Sequence, residues 1–402
     1  TLALHWLTSN QERPFFLWVH FFDPHNPYTP PQPFQQEFSE SPYDGEIAYL
    51  ESQLTRFFQG LENLGLYDSS LLVFTSDHGE SLGEHKELFH AYYVYEASLR
   101  VPLLFKIPPS LARGRIRMGQ RIATQVRSVD IAPTIIQLLG ERVPPDMQGE
   151  GLVGMMTGKK ADQDRPAYAE THYPRYFGSS PLFSISTSDH KYIEAPIPEL
   201  YDLQKDPLEL RNIFEEQSVL ANQLKIQMYE LQRRFAPTAL TPEEGVQADP
   251  EAVERLQALG YVAFSAGIGT LSQSRDLPDP KLKIDAHSKV IRALEVAQKG
   301  DSDKAIQMMK EVTVEEPKAP FVHFLLASEY FRAKLFLLAA EHFQKAVELQ
   351  PESDAGGRFN LARSLFHAGL SSTAEEVVTD LLRDDPKNFG ARHLRANLLA
   401  RQ

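Results

Sequence analysis

The sequence predicts an α/β domain followed by an all-α repeat solenoid, and three observations predict it. Two apolar strand-like runs, Phe15 to Phe22 and Leu71 to Thr75, each lead into a polar cluster that carries a histidine. Between them Ile47, Leu50, Leu54, Phe57, Leu61 and Leu64 step at three and four residues, the periodicity of a helix with one packed face. Far downstream Pro317, Pro351 and Pro386 recur at intervals of 34 and 35 residues, a period that belongs to stacked helical hairpins.

Taken in order, the first run is aromatic and apolar enough for a buried strand. Pro24, Pro27, Pro30, Pro31 and Pro33 then force an extended loop. The helix beginning near Glu46 has Asp44 to cap its start and Gly65 to stop it. Leu71–Thr75 and Val101–Ile107 are continuous apolar runs of the kind that a sheet buried on both faces requires, and the order strand, helix, strand predicts parallel pairing. Asp130–Leu139 predicts a short helix, and the stretches around Tyr168, Phe183–Thr187, Lys191–Ala195 and Leu200–Leu203 a small strand meander. Gln217–Phe235 predicts a closing helix. Proline, glycine, serine, aspartate and glutamine then displace any periodicity, apart from a helical island at Glu251–Leu259 ahead of Gly260. The predicted domains are therefore 1–235, a linker at 236–285, and repeats at 286–402.

Bulk properties exclude several function classes. A chain of 402 residues exceeds the size at which one core stops growing. The 41 basic residues against 54 acidic ones leave a net charge of -13, the opposite of the basic surface that nucleic acid needs. No apolar run approaches the roughly 20 residues of a membrane span. The absence of cysteine rules out disulfides, cysteine-ligated zinc and a thiol nucleophile. Thr1 to Leu7 reads as the tail of a helix without an initiator methionine, so the natural start is expected upstream.

The chemistry is concentrated at Thr75-Ser76-Asp77-His78-Gly79 and Phe22-Asp23-Pro24-His25-Asn26-Pro27-Tyr28. Carboxylate and imidazole together suit Ca²⁺, Mn²⁺ or Zn²⁺, and open α/β sheets gather ligands beyond their strand ends. An Asp-His-Gly sequence also reads as a plain turn, with the aspartate accepting backbone N–H groups and the glycine supplying positive φ. His20 is expected to pack within a strand, and His85 to sit solvated in an acidic loop. Tyr173 and Arg175 are either substrate contacts or an ordinary surface loop.

Four ordered motifs carry a family resemblance: Phe22 through Tyr28; Tyr43-Asp44-Gly45-Glu46; Thr75 through Glu80 with Leu82-Gly83-Glu84-His85; and Tyr95-Glu96 with Arg100-Val101-Pro102-Leu103. Asp130-Ile131-Ala132-Pro133-Thr134 and Glu199-Leu200-Tyr201-Asp202-Leu203, with Asp206-Pro207 and Asn212, extend it. Residues 1 to 235 thus resemble the C-terminal part of a sulfatase catalytic domain of the alkaline phosphatase superfamily. The resemblance implies an alkaline-phosphatase-like α/β sandwich, truncated at its N-terminal side, with a small C-terminal β subdomain. It implies a sulfuric ester hydrolase in which Asp77 and His78 supply half of a divalent-metal site, Ca²⁺ first with Mn²⁺ or Zn²⁺ as alternatives, the other half being an aspartate pair not present here. It also implies a formylglycine nucleophile made from a Cys/Ser-x-Pro-x-Arg motif, which is absent from this chain and expected upstream. His25 and His90 match positions that contact the sulfate or protonate the leaving oxygen, so all four residues are expected to share one pocket. His78 stands where many sulfatases have asparagine and His90 near where many have lysine. Those departures keep open phosphonate monoester hydrolases, phosphodiesterases and phosphoglycerol transferases of the same superfamily, and also a non-catalytic scaffold. The family is often exported.

The repeats carry a second resemblance. Leu326, Ala327, Tyr330, Ala339, Phe343, Ala346 and Pro351 match the tetratricopeptide pattern, with His323 where tryptophan is common. Ala305, Ala339 and Ala374 fall at equivalent places and predict close helix approach. Three units and a partial fourth at Phe389–Gln402 imply a solenoid that holds a protein or peptide partner.

Overall fold

The structure, a computed structural model, describes residues 2–158, 165–235, 277–349 and 355–400. Most of the predicted linker, including the island at Glu251–Leu259, lies outside the described residues. The chain divides into two compact units, one formed by residues 1–79 and 99–167 and the other by 80–98 and 168–402.

In the first unit, helix α1 (Leu2–Asn10) crosses helix α2 (Pro42–Asn63) at Gly60. A Cβ there would run into the Leu4 side chain, which would have to move to admit one. Pro42 opens α2 at a position where a missing N–H costs nothing. Asp44 lies inside the first turn and not at the cap, where its charge complements the helix dipole. Gly65, at φ +68°, ends the helix as expected. Strand β1 (Leu72–Thr75) pairs with β2 (Leu103–Lys106) in register Leu72 to Lys106 and Thr75 to Leu103. The core of this unit gathers Ile107, Leu138, Leu152, Met155 and Met156 around helix α3 (Ile131–Leu139). Beneath it the fully buried Asp130 is paired with Arg127 at 2.9 Å and Arg165 at 3.4 Å.

Four expectations are corrected here. The β1–β2 pair is antiparallel; residues 76–102 between the strands hold no helix long enough to form the crossover that parallel pairing needs. The pair is also not buried on both faces, since Phe74 and Leu104 are 37% and 57% exposed. Phe15–Phe22 forms no strand. The segment has no ladder partner among the described residues, and its residues alternate in exposure, with Phe16, Trp18 and His20 exposed. His20 is therefore exposed and not a packed core residue.

In the second unit a four-stranded sheet runs in spatial order β3 (Ala167–Thr171), β4 (Leu182–Ser186), β5 (His190–Glu194) and β6 (Glu199–Asp202). Both β4–β5 and β5–β6 are antiparallel. Helix α4 (Ser218–Phe235) lays Ala221, Leu224 and Met228 on Ile185, Tyr192 and Leu200 of this sheet. Lys191 of β5 is fully buried and held by Glu96 at 2.8 Å and Glu209 at 3.0 Å, so the cation is paired.

The same unit continues into antiparallel helix pairs: α5 (Ile284–Gln298) with α6 (Ser302–Glu315), α7 (Pro320–Arg332) with α8 (Phe336–Leu349), and α9 (Ala355–His367) with α10 (Ser371–Asp384), followed by α11 (Phe389–Leu399). Ala305, Ala339 and Ala374 are each 0% exposed, which is what close hairpin packing demands. One hydrophobic core runs from Ala293 and Met309 through Leu326, Phe343, Leu361 and Val378 to Leu394, so each hairpin buries its apolar face on its neighbours in the manner of a tetratricopeptide-like solenoid.

Candidate functional site

Asp77 and His78 emerge directly beyond β1. The Asp77 Oδ1 accepts the His78 backbone N–H at 3.1 Å, and the Ser76 hydroxyl donates to the His78 carbonyl at 2.6 Å. This local turn presents the Asp77 Oδ2 to the His78 Nε2 across 3.8 Å. The His78 Nδ1 lies 2.8 Å from the Gly79 carbonyl; Nδ1–H donates to that acceptor, which leaves the lone pair of the neutral ring on Nε2, the form a metal ion binds. The pair therefore fits part of a divalent-cation site by donor chemistry. Among the described residues no group of three or more such side chains completes it.

His25 sits in the proline-rich loop after residue 22. Its backbone N–H donates to Glu46 Oε2 at 2.9 Å, and Thr29 N–H to the other carboxylate oxygen at 2.7 Å. Glu46, on the first turns of α2, is 3% exposed and pins both ends of the His25 turn with charge-assisted bonds. The His25 ring stacks on Phe22 at 4.4 Å, and its Nδ1 lies 2.6 Å from the Asn26 carbonyl. Again the tautomer puts the lone pair on Nε2.

His90 belongs to the second unit, on a segment that begins with a two-residue hairpin, Ser81–Leu82 against Leu88–Phe89. Its Nδ1 lies 3.0 Å from Glu80 Oε1, whose side chain is 5% exposed. Glu87, nearby and buried, accepts the Tyr92 and Tyr93 N–H groups at 2.8 and 3.1 Å. Burial pushes its carboxyl up to about 7, against those hydrogen bonds, which pull the other way. Glu46 stood within a recognised motif but carried no sign of its contact with His25. Glu80, at the end of another motif, and Glu87, outside any, gave no sign of their contacts either, because a partner ten residues away across a hairpin follows no helical or strand periodicity.

The secondary candidates resolve differently. His85 is stacked on Tyr95 at 3.7 Å and bonded to the Leu208 carbonyl at 3.1 Å, so it is packed and not solvated; burial, opposed by that bond, lowers its basicity. Tyr173 and Arg175 lie in a 3₁₀ turn, Tyr173–Phe177, and Tyr173 packs edge-on against Tyr92 and Phe177. Tyr173 is thus part of an aromatic cluster rather than an overhanging loop.

Comparison with known proteins now bears on this arrangement. The sulfatase family model matches residues 1–141, and the model of the C-terminal part of N-sulphoglucosamine sulphohydrolase matches residues 83–234. The chain is 31% identical over 180 residues to an N-acetylglucosamine-6-O-sulfatase of Bacteroides thetaiotaomicron, covering 43% of this chain and 31% of that protein. It is 33% identical to a choline-sulfatase of Rhizobium meliloti, covering 44% and 33%. It is also 32% identical to the multifunctional alkaline phosphatase superfamily protein PehA of Trinickia caryophylli, covering 42% and 35%. The chain spans about a third of the length of these curated relatives. The crystal structure of yidJ from Bacteroides fragilis, assigned as a sulfatase, aligns with a TM-score of 0.50 at 21% identity over 58% of this chain and 57% of that one, and bears on the fold alone. Together the two models span residues 1–234, and this part of the chain is similar to the catalytic domain of sulfatases of the alkaline phosphatase superfamily.

Proposed function

We propose that the protein containing this chain hydrolyses sulfate esters and that Asp77, His78, His25 and His90 act in that reaction. The observation that carries the reading is shared by the three histidines: each is held through Nδ1 by an oxygen, the Asn26 carbonyl, the Gly79 carbonyl and the Glu80 carboxylate, which orients Nε2 as the working nitrogen. Asp77 and His78 would hold the cation through Oδ2 and Nε2. His25 would bind a sulfuryl oxygen, and His90, oriented by Glu80, would deliver a proton to the departing alkoxide. When present, the cation would offset charge on the sulfuryl oxygens, and the formylglycine expected upstream would supply the nucleophile. The family resemblance favours Ca²⁺; a nitrogen donor at His78 favours Mn²⁺ or Zn²⁺ over that oxygen-seeking ion.

A phosphate diester or phosphonate reading is kept because His78 replaces the common asparagine and PehA is among the relatives. The complete gene product, assayed on 4-nitrophenyl sulfate and on bis-4-nitrophenyl phosphate with metal analysis, separates the two. We expect sulfate ester turnover, and Asp77→Ala to lower kcat/KM by at least about 100-fold with loss of metal; preference for the diester, or an unchanged Asp77→Ala variant, would sink the reading.

The repeats are proposed to hold an extended peptide. Arg363 of α9 stands 4.2 Å over Phe331 of α7 and 5.9 Å from Phe359. Its Nε is buried without a hydrogen-bond partner, and it forms no ion pair among the described residues. A cation held on aromatic faces between successive first helices suits an acidic group of the partner.

A further inference from the structure

The segment that carries His90 folds with the repeat-bearing unit, and the first repeat helix grips it on both sides of the histidine. On one side the Lys86 ammonium pairs with Asp285 of α5 at 3.1 Å, and the Ser288 hydroxyl donates to the Lys86 carbonyl at 3.1 Å. On the other, the His287 ring lies 4.3 Å from the ring of Tyr92, whose hydroxyl donates to the Pro280 carbonyl at 3.1 Å. Phe177 and Tyr173 close the cage around His287 at 4.9 and 5.9 Å.

The grip matters because the backbone between these two contacts is strained. Phe89 and Ala91, the two neighbours of His90, both stand at φ +80°, and His85 and Lys86 at +52° and +64°. Left-handed backbone at residues with a Cβ persists only where surrounding structure enforces it, and it gathers at functional sites. Near His90, Glu87 ties down Tyr92 and Tyr93 through their N–H groups. Glu80 holds the His90 ring at 3.0 Å, the Thr171 hydroxyl donates to the Ala91 carbonyl, and α5, a helix of the solenoid, adds its contacts to Lys86 and Tyr92.

His287 is unusual in itself. It is 1% exposed, and neither ring nitrogen has a hydrogen-bond partner. It therefore serves here as an aromatic disc and not as a polar group, which a buried histidine seldom does without cost.

We propose that His287 is a positioning residue for His90, and hence that the first tetratricopeptide hairpin is a working part of the sulfatase-type site and not an appendage to it. The inference rests on the role assigned to His90 above. Its consequence is that catalysis depends on the repeat domain even when no partner is bound.

Two measurements test it. In the complete gene product, His287→Ala is expected to lower kcat on 4-nitrophenyl sulfate by about 10- to 100-fold, as misplacing a catalytic group does, with KM within about twofold; His287→Phe, which keeps the ring and removes the orphan nitrogens, restores kcat. In the 402-residue chain, the His90 ring resonances shift in His287→Ala, return in His287→Phe, and leave those of the exposed His20 in place. Should His287→Ala fail to fold, Asp285→Ala/Ser288→Ala, which releases only the Lys86 side of the grip, is expected to move the His90 resonances in the same direction. A His287→Ala protein with unchanged kcat and unchanged His90 resonances overturns the proposal, as does a loss that Phe does not rescue. If the complete protein turns over no sulfate ester, the sulfatase reading fails by itself, while the His90 resonances still decide whether α5 positions that ring.

Discussion

His287 shows how one side chain can couple stability to pH. Burial among rings lowers its basicity to about 3, far below the 6.5 of an exposed imidazole. Between those values the unfolded chain binds a proton that the folded chain refuses, so stability is full above about pH 6.5 and falls as the solution is acidified. At pH 5 the loss relative to pH 7 should be about 2 kcal/mol from this group alone. Relative to the parent chain, His287→Phe should gain about that much stability at pH 5 compared with pH 7 in thermal denaturation, and an equal gain in His20→Phe would contradict the assignment. The neighbouring Glu87 works in the opposite direction: with its carboxyl raised to about 7, it favours the folded state below about pH 4.5 and loses that contribution as pH rises through 7. The two oppose each other between about pH 5 and 7, and His287 governs the limb below about pH 4.5, where the Glu87 contribution is constant.

At the level of elements, the first unit places its candidate loop by a single carboxylate. Glu46 on α2 accepts both His25 N–H and Thr29 N–H, so the loop conformation is tied to the position of a helix rather than to its own prolines. Hydrogen bonds to a charged acceptor contribute about 1.5–3 kcal/mol, and Glu46→Ala should cost that much in chemical denaturation. It should also speed amide exchange at residues 25 and 29 by at least tenfold while leaving α5 to α11 unaffected. Exchange that stays slow would show that the prolines suffice. In the solenoid the comparable anchors are apolar, as with Leu326 at 0% exposure, and no such single polar tie is needed.

For the molecule as a whole, the division into two compact units has a spectroscopic handle. Both tryptophans, Trp6 and Trp18, lie in the unit made of residues 1–79 and 99–167, whereas α4 to α11 belong to the other. Tryptophan fluorescence thus reports one unit and far-ultraviolet circular dichroism mainly the other. Units with separate cores need not unfold together, and the two probes should give urea midpoints that differ. Coincident transitions with one slope would show a single cooperative block.

The sequence by itself determined which segments are amphipathic helices, though α2 begins at Pro42 and not near Glu46. Period, glycine and proline are local signals, so α2 and the 34-residue beat of the hairpins could be read directly, as could the meander β3 to β6. It also placed Asp77, His78, His25 and His90 in motifs. Only the tertiary structure decided the antiparallel sense of β1 and β2, the exposure of Phe16 to His20, and the identity of Glu46 and Glu80 as the groups that hold His25 and His90. Pairing sense and burial depend on what lies on the far side of a segment. A contact such as Tyr92 to His287, made across a sequence separation of 195, leaves no periodic trace in the chain that makes it.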